Sequence, residues 1–140
     1  MNNLYSKNSE IVPRKQIGGV ELGLSIHDLK LEADTIKEVN EQKMVLILDG
    51  SIFILLVDNR VFQVSALAGY QGKLLNKHYI GESISNFIDS DSWEFSDADD
   101  GFINKECAGV VIRCDLEDAS IEEIRENQSE LYVAEISVFE

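Results

Sequence analysis

Histidine, cysteine and proline are scarce in this chain: its 140 residues include two His, two Cys and one Pro. Two cysteines supply at most one bridge. Cys107 and Cys114, with six residues between them and no nearby His, match no zinc spacing. Free thiols in a reducing compartment are the expectation, with a single disulfide left open. His27 and His78 stand far apart in the sequence, and no Gly-x-Ser-x-Gly elbow accompanies them. Isolated histidines of this kind are more often surface or capping groups than catalysts, so no enzymatic activity is expected.

Long hydrophobic runs are also missing. The most apolar stretch, VLILDGSIFILLV, is short and is interrupted by Asp49-Gly50, so it does not read as a membrane span. The opening MNNLYSKNSEIVPRKQ is polar and mixed in charge, unlike an export signal, and has no Cys for a lipid anchor. A cytoplasmic location is therefore expected. The Gly-rich stretch Gly18–Gly23 lacks the Lys-Ser/Thr of a phosphate loop and the spacing of a dinucleotide loop. It reads as a turn leading into a strand. Counted from Asp97 as an EF-hand loop, the Gly falls fifth instead of sixth and the twelfth residue is Ala108 instead of Glu. No metal or other cofactor is assigned, although a weak, irregular divalent site at Asp97–Asp100 stays open.

The scarcest commodity is positive charge in the C-terminal part. Residues 1–80 hold nine Lys/Arg and nine Asp/Glu. Residues 81–140 hold three Lys/Arg and seventeen Asp/Glu, so the whole net charge of -14 lies there. Such a surface repels nucleic acid and anionic membranes and attracts basic proteins.

What is present fits one globular domain spanning 1–140, with 44% hydrophobic residues. Met44–Leu48, Ile52–Val57 and Val61–Leu67 read as a meander, with hairpin signals at Asp49-Gly50 and Asp58-Asn59. Ile52–Val57 is apolar throughout, the mark of a central strand covered on both faces. Trp93–Phe95, Val110–Cys114 and Leu131–Phe139 are further strand candidates. Ser120 and Glu123 form a capping box for a short acidic helix. Leu22-Gly23-Leu24-Ser25-Ile26-His27-Asp28-Leu29 matches Ile80-Gly81-Glu82-Ser83-Ile84-Ser85-Asn86-Phe87 at an offset of 58. In each, the Gly permits a tight turn and the Ser can cap a short helix. The expected fold is α+β, an antiparallel sheet with short helices on one side. Two related helix-plus-strands halves, divided near residues 70–80, are a further reading.

Asp89–Gly101, DSDSWEFSDADDG, sets six carboxylates in thirteen residues around Trp93 and Phe95. A run of this kind often serves only solubility. Here a second block, Glu117, Asp118, Glu122, Glu123, Glu126 and Glu130, repeats the sign, and self-repulsion of that size works against folding. The expectation is a docking face for a basic protein: Asp89, Asp91, Trp93, Glu94, Asp97, Asp99 and Asp100, joined by Glu117, Asp118, Glu122, Glu123 and Glu126. Trp93 would be its apolar anchor.

The run IGGVELGLSIHDL, the apolar meander after it, the Ile80-Gly81-Glu82-Ser83 echo and the small acidic chain resemble immunity proteins of bacterial contact-dependent growth inhibition and related polymorphic toxin systems. The resemblance implies a cytoplasmic protein that neutralises one cognate toxin domain, often a nuclease acting on tRNA or DNA. It implies stoichiometric binding without chemistry, as a monomer when free and 1:1 with the toxin. The Gly–x–Ser stretch is also similar to repeat modules of outer-membrane assembly lipoproteins and secreted β-lactamase inhibitors, which the opening residues disfavour. The alternative function is a small acidic secretion chaperone that binds an extended client protein.

Overall fold

Alternation of buried and exposed side chains builds most of this molecule. The computed structural model describes residues 5–29, 35–39 and 41–140. Its strands are β1 (Gln16–Ile17), β2 (Val20–Glu21), β3 (Thr35–Val39), β4 (Gln42–Ile47), β5 (Ile52–Val57), β6 (Arg60–Ala66), β7 (Trp93–Ser96), β8 (Gly101–Asn104), β9 (Val110–Cys114) and β10 (Val133–Phe139). β1 and β2 form a small hairpin, and the other eight make one sheet in the order β3-β4-β5-β6-β10-β9-β8-β7. Neighbouring strands in both sheets are antiparallel. Helix is sparse among the described residues: α1 (Ile121–Glu126) and two 3-10 turns, Ile84–Asn86 and Gln128–Glu130.

β5 shows how the sequence makes the sheet. Ile52, Ile54 and Leu56 are wholly buried, while Phe53, Leu55 and Val57 between them are half-buried. The strand is central, yet it buries one face fully and the other only partly, contrary to the reading of an apolar run covered on both sides. Each of the three buried side chains contributes about 1.5–3 kcal/mol. Val64, Ala66, Ile112, Ile136 and Val138 continue the same core from β6, β9 and β10. Ile17 and Val20 of the small hairpin join it, as do Ile84 and Ile124 of the helical segments.

Two hairpin signals meet different fates. Asp58 and Asn59 sit at φ 53 and 61, the left-handed pair of a type I′ turn, and join β5 to β6 with no other residue between them. Asp49-Gly50 does not make a two-residue turn. Leu48 and Asp49 both take left-handed φ, and Ser51 ties back to the Leu48 carbonyl through its N–H and its hydroxyl. The loop therefore runs over four residues, Leu48–Ser51.

Among the described residues the expected first short helix is absent. Ser25–Asp28 is a turn, with the Ser25 hydroxyl accepting from the His27 N–H. Ser25 is bridged to Arg60 and the Ile26 N–H donates to the Asn59 carbonyl, so the stretch is held against the start of β6 by strand-like pairing. At the second site Ser83 caps only the 3-10 turn, accepting from Ser85. The two stretches meet the sheet through matching bonds. Gly23 donates to the Val61 carbonyl and Val61 returns its N–H to Leu24. Gly81 donates to the Val133 carbonyl and Val133 returns its N–H to Glu82.

The N-terminal segment is clamped to residues 71–74. Gln71 and Gly72 donate to the Lys7 carbonyl, and Ile11 donates to Lys73. A Cβ at Gly72 would stand 1.9 Å from the Ser9 carbonyl oxygen, which leaves room for hydrogen alone. Gly72→Ala is expected to destabilise the protein by about 2–3 kcal/mol, read as a lowered urea midpoint at unchanged slope.

Tyr70 lies in the same corner and donates to the Ser9 carbonyl. Burial pushes its phenol up from 10.0 to about 12, outweighing a backbone hydrogen bond at Gly18 that lowers it. The neutral form is thus the one the fold favours. Its stabilising effect is intact below pH 10, where the unfolded phenol begins to ionise, and is lost as pH climbs toward 12. In an absorbance titration one of the four tyrosines should ionise late, and Tyr70→Phe should abolish that late step.

Candidate functional site

The two acidic blocks of the sequence converge at the β7 end of the large sheet. β7 and β8 form a hairpin whose tip, Asp97–Asp100, is turned by a left-handed Asp100 and by the Ser96 hydroxyl donating to Asp99 at 2.8 Å. Arg113 on β9 fastens that tip, donating through Nε to the Asp99 carbonyl at 3.2 Å and through a terminal nitrogen to Glu135 at 3.2 Å. The second block arrives by two contacts. The Asp118 N–H donates to the Asp100 carboxylate, and Arg125 on α1 pairs with Asp89 at 2.9 Å. Both Arg125 and Asp89 are well exposed, so that pair adds at most about 1 kcal/mol and mainly records proximity.

Asp89, Asp91, Glu94, Asp97, Glu117, Asp118, Glu122, Glu123 and Glu126 are exposed, and Asp99 and Asp100 are half-buried. α1 is started by Ser120, which accepts from the Glu123 N–H as the capping box requires, and its outer face carries Glu122, Glu123 and Glu126. A cleft of about 360 Å³ lies between β7, the loop at 88–91 and α1. Asp89, Asp91 and Glu94 line it with Ile88, Phe95 and Ile121.

Trp93 departs from its expected role. Its side chain is 5% exposed and points into the core, so it is not a surface anchor. The reason is a polar partner inside. The Trp93 indole N–H donates to Nε2 of His78 at 3.1 Å, and Nδ1 of the same ring lies 2.9 Å from Glu82. Accepting at Nε2 leaves the imidazole proton on Nδ1, from which it is donated to Glu82. Asn86 supplies a second hydrogen bond to the Glu82 carboxylate at 3.3 Å. His78 and Phe87 meet edge to face, as do His78 and Trp93. His78 and Glu82 are each 3% exposed, so both are core residues and neither is a surface or capping group. Their spacing of four residues is the only sequence signal that ties them together.

Other candidate chemistry stays dispersed. His27 is exposed and distant in sequence from the His78 cluster. Cys107 and Cys114 are both free and half-buried, and burial pushes the Cys114 thiol up. Among the described residues no three of His, Cys, Asp and Glu converge on a point that could hold a metal ion. Among the same residues no helix is long and apolar enough to cross a membrane. No family model matches the chain, and no curated protein or solved structure proves similar to it.

Removing His78 strands a buried carboxylate and a buried indole N–H together. His78→Ala should cost about 3–5 kcal/mol. The emission of Trp93, the chain's single tryptophan, should shift to the red. A urea titration followed by that emission reads both effects. The double variant His78→Leu, Glu82→Gln should recover part of the loss, because it withdraws the buried charge as well.

Proposed function

We propose that this protein is an immunity-type inhibitor, which binds a cognate basic toxin domain one-to-one and neutralises it without doing chemistry. The toxin is a nuclease acting on tRNA or DNA, since a surface built for phosphates is already basic and a carboxylate array can occupy it. Binding takes place in the cytoplasm and involves no cofactor.

The observation that carries this reading is the gathering of two sequence-distant acidic blocks at one end of the sheet. Asp89 meets α1 through Arg125, and Asp100 meets Asp118. An excess of fourteen acids over bases in residues 81–140 opposes folding unless something offsets it, and a cationic partner does so. Steering by such a face raises association toward about 10⁸ M⁻¹s⁻¹ at low salt. The corrected place of Trp93 alters the account in one respect. The indole braces the face from beneath, and the apolar contacts available at the surface are Phe95 and Ile121.

We also read the chain as two copies of one unit with short helical turns on one side, β3–β6 and β7–β10, meeting at β6 and β10. Support comes from the seam. Ser65 pairs with Ser137 and is flanked by Ala66 against Ile136 and Val64 against Val138, the pattern of a two-fold axis through the serine pair. The ladder irregularity between Leu55 and Leu56, against β6, recurs on β10 between Val133 and Glu135.

The test uses the toxin encoded beside this chain. The protein should rescue cells that express it and should co-purify with it. Asp97→Asn, Asp99→Asn and Asp100→Asn together preserve side-chain shape and the left-handed turn, yet should slow association by about tenfold. Raising the salt from 50 to 500 mM should act in the same direction. Tight binding indifferent to both changes would remove the electrostatic reading and favour a secretion chaperone gripping its client through apolar surface.

A further inference from the structure

We infer that the partner docks on the outer edge of β7 by adding an extended basic segment to the sheet. This rests on the inhibitor reading above and names the part of the partner that is held. β7 is the last strand of the large sheet, and its one neighbour is β8. The Lys105 N–H donates to the Ser92 carbonyl, which sets the phase of the ladder: Ser92, Glu94 and Ser96 bond to β8, while Trp93 and Phe95 turn their backbone groups away from it. Among the described residues the N–H and C=O of Phe95 have no hydrogen-bond partner. A sheet edge with unsatisfied groups is a template for another strand.

The cleft of about 360 Å³ runs beside this edge, and its lining fixes the kind of side chain it takes. Phe95 and Ile121 suit an aliphatic stem, and Asp89, Asp91 and Glu94 suit a cationic head. The protein's own Arg125 already rests a guanidinium on Asp89 in this cleft. A second copy of the chain is the wrong occupant. Two β7 edges side by side would bring Asp89, Asp91, Glu94 and Asp97 against their own duplicates, with only Arg125 and Lys105 to offset them. An arginine- or lysine-bearing strand has the complementary charge, and its alternation places every second side chain toward the cleft.

The experiment titrates the full ¹⁵N-labelled chain with a peptide of alternating arginine and valine, and separately with one of alternating glutamate and valine. Saturating arginine peptide should slow exchange of the Phe95 amide by about tenfold or more, with the glutamate peptide inert. Phe95→Pro removes the N–H at a position where an edge tolerates proline, and should weaken the arginine peptide by about tenfold, whereas Phe95→Leu should not. If the proline variant fails to fold, the exchange measurement on the unaltered chain still decides. Arginine peptide that shifts the acidic residues but leaves the Phe95 amide unprotected, or protects β3 instead, would overturn strand addition and leave the basic-partner reading standing. Equal protection by both peptides would support strand addition and remove the charge argument. Absence of binding by either peptide would overturn both. Protection that grows with protein concentration alone would seat a second copy and overturn the basic occupant.

Discussion

The seam between β6 and β10 is the constraint on which the rest of the structure depends. Four residue pairs, Ile136 with Ala66, Ser137 with Ser65, Val138 with Val64 and Phe139 with Gln63, join two four-stranded meanders into one sheet. On the core side the seam is purely aliphatic. On the other side, Phe139 apart, it is polar and closed upon itself: the Ser65 and Ser137 hydroxyls lie 2.7 Å apart, Gln63 donates to both, and Ser137 donates to Glu135. Without Ser137 the buried Ser65 hydroxyl would lose the acceptor for its proton, at a cost of about 1–3 kcal/mol, so the pair helps to specify the register. A slip of β10 by one residue would part the serines and turn Ile136 and Val138 out of the core.

Charge placement follows from that seam. Arg113, on the strand next to β10, reaches Ser137 and Glu135 with its terminal nitrogen and the Asp99 carbonyl with Nε. One cation thus links the centre of the sheet to the tip of the acidic hairpin. Because the link is made to a backbone carbonyl, the carboxylates of Asp97, Asp99 and Asp100 are not consumed by it. From below, His78 and Glu82 fix Trp93 at the first residue of β7. The edge strand is thus held at both ends, at Trp93 from the core and at the Asp97–Asp100 tip by Arg113.

How far the sequence reveals this depends on whether a signal is local. The strands at 52–57 and 110–114 were legible to the residue, because branched apolar residues and adjacent turn signals are read within a few positions. Asp58-Asn59 announced its turn for the same reason. β8 was missed, since Gly101-Phe102-Ile103-Asn104 holds only two apolar residues and becomes a strand through its neighbours β7 and β9. The helix at Ser25 was over-read, because the bond from Ile26 to Asn59 spans more than thirty residues and no local pattern reports it. The acids of the candidate site are read from composition, and nine of them are exposed while Asp99 and Asp100 are half-buried. Trp93 was not, because its choice between surface and core was made by His78 and Glu82, fifteen and eleven residues upstream.

The unequal loading of the two halves bears on how such a protein could arise. On the reading that they are copies, the backbone frame is shared, down to the matching glycine bonds to Val61 and Val133. Stability therefore accounts for the frame in both, and the frame alone does not call for acids in either. The first half is electrically neutral and inserts the Gly18-Gly19 hairpin against β6; the second inserts α1 and carries the entire excess charge. Both halves supply the core, with Ile52, Ile54 and Val64 from one and Phe102, Ile112, Ile136 and Val138 from the other, so the acids of the second are carried on a frame whose interior is apolar throughout. The excess charge and the cleft beside β7 thus lie in the same part of the chain.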